Sequence, residues 1–402
     1  MVDTGRSISR REFAERCVNA AYGVTAPASG FSCRSLAQSS SIGEGLRRDL
    51  TGLGGTLIFD DASRQEAGDD FGHVVHSNPL AVLRPGSPGD VVAVVNYANR
   101  QGLRVAMNGN GHSVYGQAQA RNGLVIQSSG LKRIHSIGAE GAHVDAGVTW
   151  GELAKTTLAS GLTPPVMTEF QDLSIGGTLS VGGVGPASHR FGAQVDHVLE
   201  LEVVTGSGEQ VTCSRDRKNE LFYAVLAGFG QCGLIVRARV GLLPAPTSVV
   251  VQELLYSDLG TYLAEASRAL RSESFDHQMG HVVFEDSSRS TFKLKIGRFY
   301  SGSPIPDFRA ATKELRFEKA SEPLIHTYWG YLNPRAAVAR PGPRWRLPHA
   351  TFYCFFPAAE TERFLTQVLA TPSEYAGARD PTLFGVSPWS ATHFACPLFQ
   401  VP

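Results

Sequence analysis

Asn108-Gly109-Asn110-Gly111-His112-Ser113 lies between two short apolar segments, residues 104–107 and 124–127, which predict β-strands. Two alternating glycines allow positive φ angles, and they let successive backbone N–H groups converge on one point. A concavity of this kind binds anions, most often phosphate. The stretch therefore predicts a phosphate-binding loop between two strands, with the titratable side chain of His112 at its end.

The loop differs from the dinucleotide-binding fingerprint of Rossmann folds, in which a third glycine follows and a helix begins. Here Val114 takes the third position, and Gly116 and Gln117 continue into a polar connector without a helical pattern. An ordinary turn with a hydrogen-bonded histidine is the alternative for the loop taken alone, because isolated Gly-x-Gly sequences are commonly turns. The other glycine segments decide between these interpretations.

Two further glycine-rich segments follow along the chain. Residues 172–185 contain the pairs Gly176-Gly177 and Gly182-Gly183 on either side of a short apolar run. Residues 226–235 lead into a predicted strand over residues 234–243. Paired glycines allow a backbone to approach a flat ligand or another backbone closely. Three such segments, each beside a β-rich run, indicate one extended ligand that lies on backbone.

The composition describes a globular chain. Its 402 residues favour two domains, and 42% hydrophobic against 18% charged residues indicates a sizeable core. Lys+Arg 37 balance Asp+Glu 37, so the charge disfavours a nucleic-acid partner. Apolar runs stay below the roughly 18 residues that a membrane-spanning helix needs. The six cysteines form no Cys-x-x-Cys pair, so we expect no metal site.

Hydrophobic periodicity predicts helices and strands along the whole chain. Before the loop, residues 79–85 predict a strand, and Ser87 caps a helix predicted over residues 91–101. After it, residues 195–204 and 209–213 predict a hairpin. The other predicted elements are strands at residues 143–148, 281–284, 290–299 and 350–356 and helices at residues 150–160, 219–226, 254–271 and 360–370.

A change in composition after Pro244-Ala245-Pro246 predicts a boundary between two domains, residues 46–245 and 246–402. Before them, residues 1–33 resemble an export signal. Ser9-Arg10-Arg11-Glu12-Phe13 is similar to the twin-arginine motif, an uncharged segment follows, and Ala26-Pro27-Ala28 offers a cleavage site. We therefore expect a periplasmic or secreted protein, and a cytoplasmic protein with a disordered tail is the alternative.

Together the motifs resemble the vanillyl-alcohol-oxidase-type flavoproteins, which have a PCMH-type FAD-binding domain, and among them the cytokinin dehydrogenase branch. The resemblance rests on the His112 loop and on residues 173–180, 201–214 and 228–239. It implies an α+β fold in which a PCMH-type FAD-binding domain precedes a substrate-binding domain, an antiparallel sheet covered by helices. Family members continue beyond the segment that resembles residues 396–402 with a strand and a segment that returns to the FAD-binding domain. We therefore expect a shortened second domain here, either natural or truncated.

The resemblance also implies roles for individual residues. His112 is expected to carry FAD covalently through the 8α carbon of the flavin, a bond that raises the flavin potential and so makes poor hydride donors oxidisable. Glu169 stands where the family has an aspartate, and we expect it to be the catalytic base and a cofactor contact. The remaining cofactor-binding positions implied in this way are Gly109, Asn110, Gly111, Ser113, Gln117, Ser174, Ser180, Val184 and Ile235.

The chain departs from the cytokinin dehydrogenase pattern at two positions. Glu169 is one methylene longer than the aspartate it replaces, and Met279 aligns with the family's second acidic residue. The shifted carboxylate and the missing charge predict weak or no turnover of isoprenoid cytokinins.

The predicted function is oxidation of a small-molecule alcohol or amine by hydride transfer to covalent FAD, with oxygen or a quinone-like oxidant as the electron acceptor. Two alternatives stay open. One is a flavin-binding protein without turnover, and the other is an NADPH-dependent reductase on the same flavin fold. His112 argues against the reductase, because the relatives of that class hold FAD without a covalent bond.

Overall fold

The computed structural model describes residues 36–285, 289–332, 347–348, 351, 353–370 and 385–399, with side chains from residue 43 onward. The predicted twin-arginine signal lies outside these residues. No helix in the described part of the chain is both long enough and apolar enough to cross a membrane. The fold is α+β, as the sequence predicts, and the described residues form three sheets of four or five strands and one two-stranded pairing.

The first part of the chain forms a small mixed sheet. Its elements are α1 (Leu36–Asp49), β1 (Thr56–Ile58), α2 (Asp61–Ala67), β2 (Ala81–Arg84), α3 (Pro88–Gln101), β3 (Val105–Asn108) and β4 (Leu124–Gln127). The strand order is β1-β2-β4-β3, in which β2 and β3 run parallel to β4 and β1 is antiparallel to β2. The predicted phosphate-binding loop leaves the carboxyl end of β3.

Helix α3 precedes β3 and positions the strand from which that loop leaves. Its buried face has the helical spacing of Val91, Val94, Val95 and Ala98, and it packs on the first sheet. The helix ends at Gly102, which has φ 63° and donates its N–H to the carbonyl of Ala98. The strand predicted over residues 79–85 is confirmed as β2, and the helix predicted over residues 91–101 is confirmed as α3, which begins three residues before its predicted start.

The middle of the chain forms a second sheet. Its elements are β5 (Ile134–Gly138), β6 (Gly141–Asp145), α4 (Trp150–Leu158), β7 (Leu162–Thr163), α5 (Ile175–Leu179), α6 (Ser188–Phe191), β8 (Val198–Val204), β9 (Gln210–Ser214), α7 (Asn219–Val225), β10 (Leu234–Val240) and β11 (Leu243–Pro244). The antiparallel order is β5-β6-β10-β8-β9, and β7 pairs with β11. Strands β8 and β9 confirm the predicted hairpin, while the strand predicted over residues 234–243 ends at Val240.

The last part of the chain forms the third sheet. Its elements are β12 (Ser248–Tyr256), α8 (Leu259–Arg271), β13 (His277–Phe284), β14 (Ser290–Tyr300), α9 (Phe308–Thr312), β15 (Lys319–Ala320), β16 (Leu324–Thr327), α10 (Tyr328–Leu332) and α11 (Ala358–Leu369). All pairings are antiparallel, in the order β13-β14-β12-β15, and β16 also pairs with β12. The predicted domain boundary falls between β11 and β12, and the division itself stays a prediction.

The helix predicted over residues 254–271 is wrong at its start. Three consecutive valines and the alternation that follows them make residues 248–256 a strand, because β-branched side chains suit a pleated, half-buried surface. The helix begins only after Asp258, whose carboxylate accepts the N–H of Thr261. Its buried face then covers the sheet through Tyr262 and Ala266.

The strand predicted over residues 350–356 is also wrong for the part that the structure describes, residues 351 and 353–356. The aromatic side chains there contact other aromatic rings, and the backbone does not pair with a sheet. The ring of Phe355 lies 5.4 Å from that of Trp389, and the ring of Phe356 stacks on that of Phe364 at 4.2 Å. The helix predicted next to them is confirmed as α11.

Residues 393–399 pack against the region that precedes β8. The carboxylate of Asp196 accepts the N–H groups of Ala395 and Cys396 at 2.9 and 2.8 Å. The ring of Phe399 lies where a side chain at Gly182 would otherwise stand. Residues 393–399 therefore contact the predicted FAD-binding domain, and the expectation of a shortened second domain stays a prediction.

Candidate functional site

The loop after β3 is shaped by its own polar side chains. Asn108 is buried, and its Oδ1 accepts the N–H of Gly111 at 3.1 Å, which closes a tight turn. Gly111 has φ 70°, a conformation that side chains disfavour. The Asn110 amide donates to the carbonyl of Asp172, so the loop is joined to the second glycine segment.

The second glycine segment lies directly against this loop. A Cβ added at Gly109 would stand 2.1 Å from Ser174 Oγ, and one added at Gly177 would stand 2.8 Å from the same atom. Backbone hydrogen bonds fix the segment, because Ile175 and Gly176 donate their N–H groups to Val148 and Ala146. The result is a narrow cradle of bare backbone around Ser174, which fits the pyrophosphate of a dinucleotide.

The third glycine segment joins the same structure. Ala227 and Phe229 both have positive φ angles, and they donate their N–H groups to the carbonyls of Leu179 and Ser180. The hydroxyl of Ser180 in turn donates to the carbonyl of Gly176 at 2.8 Å. The structure therefore brings the three glycine segments together, as expected for one extended ligand.

The other predicted cofactor positions differ in their surroundings. Ser113 accepts the N–H of Gly72 through its carbonyl, and the exposed Gln117 accepts the N–H of Tyr115 within its own turn. Ile235 is buried in β10, next to an irregularity in its pairing with β8, and Val184 packs half-buried against the same core.

His112 is held between two aromatic rings. Its imidazole stacks on Phe71, with ring centroids 4.1 Å apart and planes 15° apart, and it contacts Phe170 at 4.7 Å. Phe71 is fixed in turn, since its N–H donates to the carbonyl of Gly111 at 2.8 Å. The imidazole is therefore held in one orientation at the mouth of the cradle.

Asp70 supports this arrangement from beneath. Its buried carboxylate accepts the N–H groups of Gly116 and Gly72 at 2.8 and 3.2 Å, which fixes the connector after His112 to the segment that carries Phe71. Burial raises the pKa of Asp70, and the two N–H donors oppose that shift. Asp70 and Phe71 were not among the predicted site residues; the signal in the sequence was an acidic residue followed by an aromatic residue and a glycine, Asp70-Phe71-Gly72.

Glu169 lies on a short turn beside His112. The hydroxyl of Thr168 donates to the carbonyl of Phe170 at 2.9 Å, and this turn leaves Glu169 exposed while Phe170 meets the imidazole. The carboxylate is close enough to Tyr331 to influence its ionisation. Burial raises the pKa of Tyr331 well above its usual value, and the nearby Tyr328 and Glu169 raise it further.

A buried histidine completes this side of the site. The Nδ1 atom of His277 lies 2.5 Å from the hydroxyl of Tyr331, while its Nε2 atom has no hydrogen-bond partner among the described residues. Burial lowers the pKa of His277 well below its usual value, so the imidazole is neutral. Met279 lies two residues further along β13, on the same face of the strand. Met279 was named from the sequence, whereas Tyr331 and His277 were not among the predicted site residues.

Gly185 fixes the segment that carries Glu169, so we expect Gly185→Ala to be destabilising. The new Cβ would lie 1.9 Å from the carbonyl oxygen of Met167, a contact that only a backbone shift can relieve. Overpacking of this kind costs about 1–3 kcal/mol. Denaturant unfolding should show this loss together with a lower FAD content. The matched control is Gly206→Ala, where no atom lies within 4 Å. Equal unfolding free energies for the two variants would contradict the argument.

Comparison with known proteins supports the interpretation of the glycine cradle as an FAD-binding site. Residues 79–214 match a family model described as an FAD binding domain. The chain is 34% identical, over 87% of its length and 80% of the relative's, to an uncharacterized oxidoreductase, ORF5 in the fasciation locus of Rhodococcoides fascians.

Plant proteins give a second group of matches. Cytokinin dehydrogenase 7 of Oryza sativa subsp. japonica is 38% identical over 65% of this chain, and cytokinin dehydrogenase 1 of Arabidopsis thaliana is 37% identical over 79%. The chain spans 52% and 62% of the length of these two relatives.

A solved structure shares the fold. The 6-hydroxy-D-nicotine oxidase of Arthrobacter nicotinovorans superimposes with a TM-score of 0.62 at 20% identity, over 79% of this chain and 72% of that one. The match to the FAD binding domain, together with the backbone cradle, identifies FAD as the cofactor. The chain belongs to the FAD-linked oxidoreductases of the vanillyl-alcohol-oxidase type, with a PCMH-type FAD-binding domain, and is similar among them to the cytokinin dehydrogenases.

Proposed function

We propose that this chain oxidises a small-molecule alcohol or amine by hydride transfer to FAD that is covalently attached to His112. The observation that carries the proposal is the position of the imidazole. It is stacked on Phe71 at the end of the glycine cradle, and it contacts Phe170, the residue next to Glu169. A nucleophilic nitrogen held in one orientation at the cradle mouth suits a permanent bond to the cofactor.

Each part of the site has one task in this proposal. FAD, when bound, supplies the acceptor for two electrons and a proton as hydride. Backbone N–H groups of the loop after β3 would hold its pyrophosphate, and His112 would tether it. The carboxylate of Glu169 accepts the proton of the substrate O–H or N–H. For this, general-base catalysis requires the carboxylate to lie within hydrogen-bond distance of the substrate, roughly 2.6–3.2 Å. Phe71 and Phe170 contact the imidazole and hold its orientation.

The substrate is proposed to differ from isoprenoid cytokinins. The relatives named cytokinin dehydrogenases support an amine as the substrate class. Met279, however, is uncharged and sits opposite Lys295 in the pairing of β13 with β14, so this position offers no carboxylate to an adenine-type amine. Tyr331 and His277 supply neutral polar groups instead. We therefore expect a smaller or less basic substrate.

Anaerobic flavin reduction tests the proposal and separates its alternatives. The purified protein is mixed with a panel of alcohols and amines and, separately, with NADPH, while the flavin absorbance is followed. Bleaching by an alcohol or amine supports the proposal, whereas bleaching by NADPH alone supports the reductase. A flavin that stays oxidised throughout the panel supports a binding protein without turnover. Reoxidation by oxygen or by a quinone then identifies the proposed electron acceptor.

Export through the twin-arginine route is proposed from Arg10 and Arg11, which lie outside the described residues. Changing both to lysine is expected to leave the protein in the cytoplasm, because the route reads the arginine pair as an address and not its charge. Cell fractionation measures the outcome. The matched control changes Arg47 and Arg48, an adjacent pair in α1, to lysine. Equal periplasmic amounts of both variants would remove the twin-arginine interpretation.

A further inference from the structure

The loop between α2 and β2 gathers three metal-ligating side chains. Asp69, His73 and His76 each offer a ligand atom, and these atoms lie within 4.8 Å of one another. Asp69 Oδ2 lies 2.7 Å from His73 Nδ1, and Asp69 Oδ1 lies 3.3 Å from His76 Nε2. These residues are separate from the cradle and from the Glu169 side of the site.

The donor set selects the kind of ion. Two imidazoles and one carboxylate suit zinc and its neighbours among the divalent transition metals, whereas calcium and magnesium prefer oxygen ligands alone. Bonds of about 2.0–2.1 Å to a tetrahedral ion place its ligand atoms about 3.3–3.4 Å apart. The present separations of the ligand atoms, all within 4.8 Å, are close to that spacing. The side chain of His76 is 61% exposed, so an ion can enter from solvent and keep a water ligand.

The backbone already holds the loop in the required shape. The N–H of Ser77 donates to the carbonyl of Gly68 at 2.8 Å, which closes the loop at its base. His73 has φ 50°, a conformation that costs free energy for a residue with a side chain, and this conformation brings its ring beside Asp69. Asp69 Oδ1 also accepts the N–H of Asp70, which orients the carboxylate.

The same loop carries the residues that hold His112. Asp70 and Phe71 lie between Asp69 and His73 in sequence, and they contact Gly116 and the imidazole of His112. We propose that Asp69, His73 and His76 bind one divalent transition-metal ion of the zinc type, and that the ion fixes the loop that packs Phe71 against His112. The ion acts as a structural clamp, and it takes no part in hydride transfer.

Zinc titration of the full-length, FAD-containing protein tests the proposal. The protein is treated with a chelator, the chelator is removed, and zinc chloride is added in a calorimeter and, separately, in a thermal unfolding assay. One ion per chain should bind and should raise the unfolding temperature. The visible circular dichroism of the flavin should change over the same zinc range, since the loop contacts His112.

Two ligand variants and one control make the result specific. Changing groups that merely orient metal ligands costs about 10–100-fold in affinity, so Asp69→Asn and His76→Ala should each weaken zinc binding by at least about 100-fold. His393→Ala, which removes an exposed histidine elsewhere, should bind zinc as the parent does. Asp69→Asn keeps the size of the side chain, so it reports on the site even if His76→Ala folds poorly. Absence of saturable binding, or equal affinity in Asp69→Asn and the parent, overturns the proposal and leaves an Asp–His hydrogen-bonding cluster.

Discussion

Replacing His112 with alanine is expected to abolish the retention of flavin by the acid-precipitated protein, which should be complete in the parent. The parent should stay yellow after acid precipitation, because denaturation breaks the hydrogen bonds of the glycine cradle and leaves a covalent bond intact. The alanine variant should release its FAD into the supernatant under the same conditions. Tryptic mass spectrometry of the parent should find the mass of FAD on the peptide that contains His112.

The structure supports reversible binding of FAD by that variant. The cradle is built from backbone and from Ser174, and its closing hydrogen bonds involve Asn108 and Asn110 rather than the imidazole. FAD should therefore copurify with the variant and exchange on dialysis. His326→Ala, on β16, is the matched control and should retain its flavin in acid. Release of all flavin from the parent in acid would refute the covalent bond while leaving FAD binding itself intact.

A second substitution separates the bond from its geometry. Phe71→Leu removes the ring that stacks on the imidazole and keeps an apolar side chain of comparable size. Stacked aromatic pairs contribute about 0.5–1.5 kcal/mol beyond their burial, so the imidazole should sample more orientations in this variant. The flavin should still become attached, but more slowly, when the apoprotein is mixed with FAD.

The sequence predicted the parts of the site that depend on local backbone chemistry. Alternating glycines at 109 and 111 allow a tight turn whatever surrounds them, and Gly102 ends α3 through its own φ angle. The hairpin of β8 and β9 follows equally from its turn residues. For this reason the sequence alone predicts the cradle and its neighbouring strands.

The parts that depend on distant contacts were missed. Phe71 meets His112 only because its backbone pairs with Gly111, across about forty residues of chain. Tyr331 and His277 meet across 54 residues, and neither has a local pattern that marks it. The proximity of Asp69, His73 and His76 was not predicted for a related reason, since the expectation of no metal site rested on cysteine spacing. The error at residues 254–256 came from extending helical periodicity backwards into a strand.

Replacing Glu169 with glutamine is expected to lower the rate of flavin reduction by about 10²–10⁴-fold, the usual contribution of a positioned general base. The amide keeps the size and the polarity of the side chain but cannot accept the substrate proton. FAD content should stay unchanged, because the cradle does not depend on this carboxylate. Stopped-flow absorbance under anaerobic conditions measures the rate with whichever alcohol or amine reduces the parent.

The control for this variant is Glu209→Gln, which removes an exposed carboxylate from the turn between β8 and β9 and should reduce at the parent rate. Unimpaired reduction in Glu169→Gln would rule out the base assignment and leave a surface carboxylate near Tyr331.

The same measurement decides the cytokinin question. An isoprenoid cytokinin should reduce the parent slowly, since the extra methylene of Glu169 displaces the carboxylate by about 1 Å, and a displacement of that size can cost about 10²-fold in rate. Met279→Glu restores an acidic group at the second position of departure and should speed the reaction. Fast reduction of the parent by isopentenyl adenine would contradict the proposed substrate difference. No gain in Met279→Glu would show that this position lies away from the substrate amine.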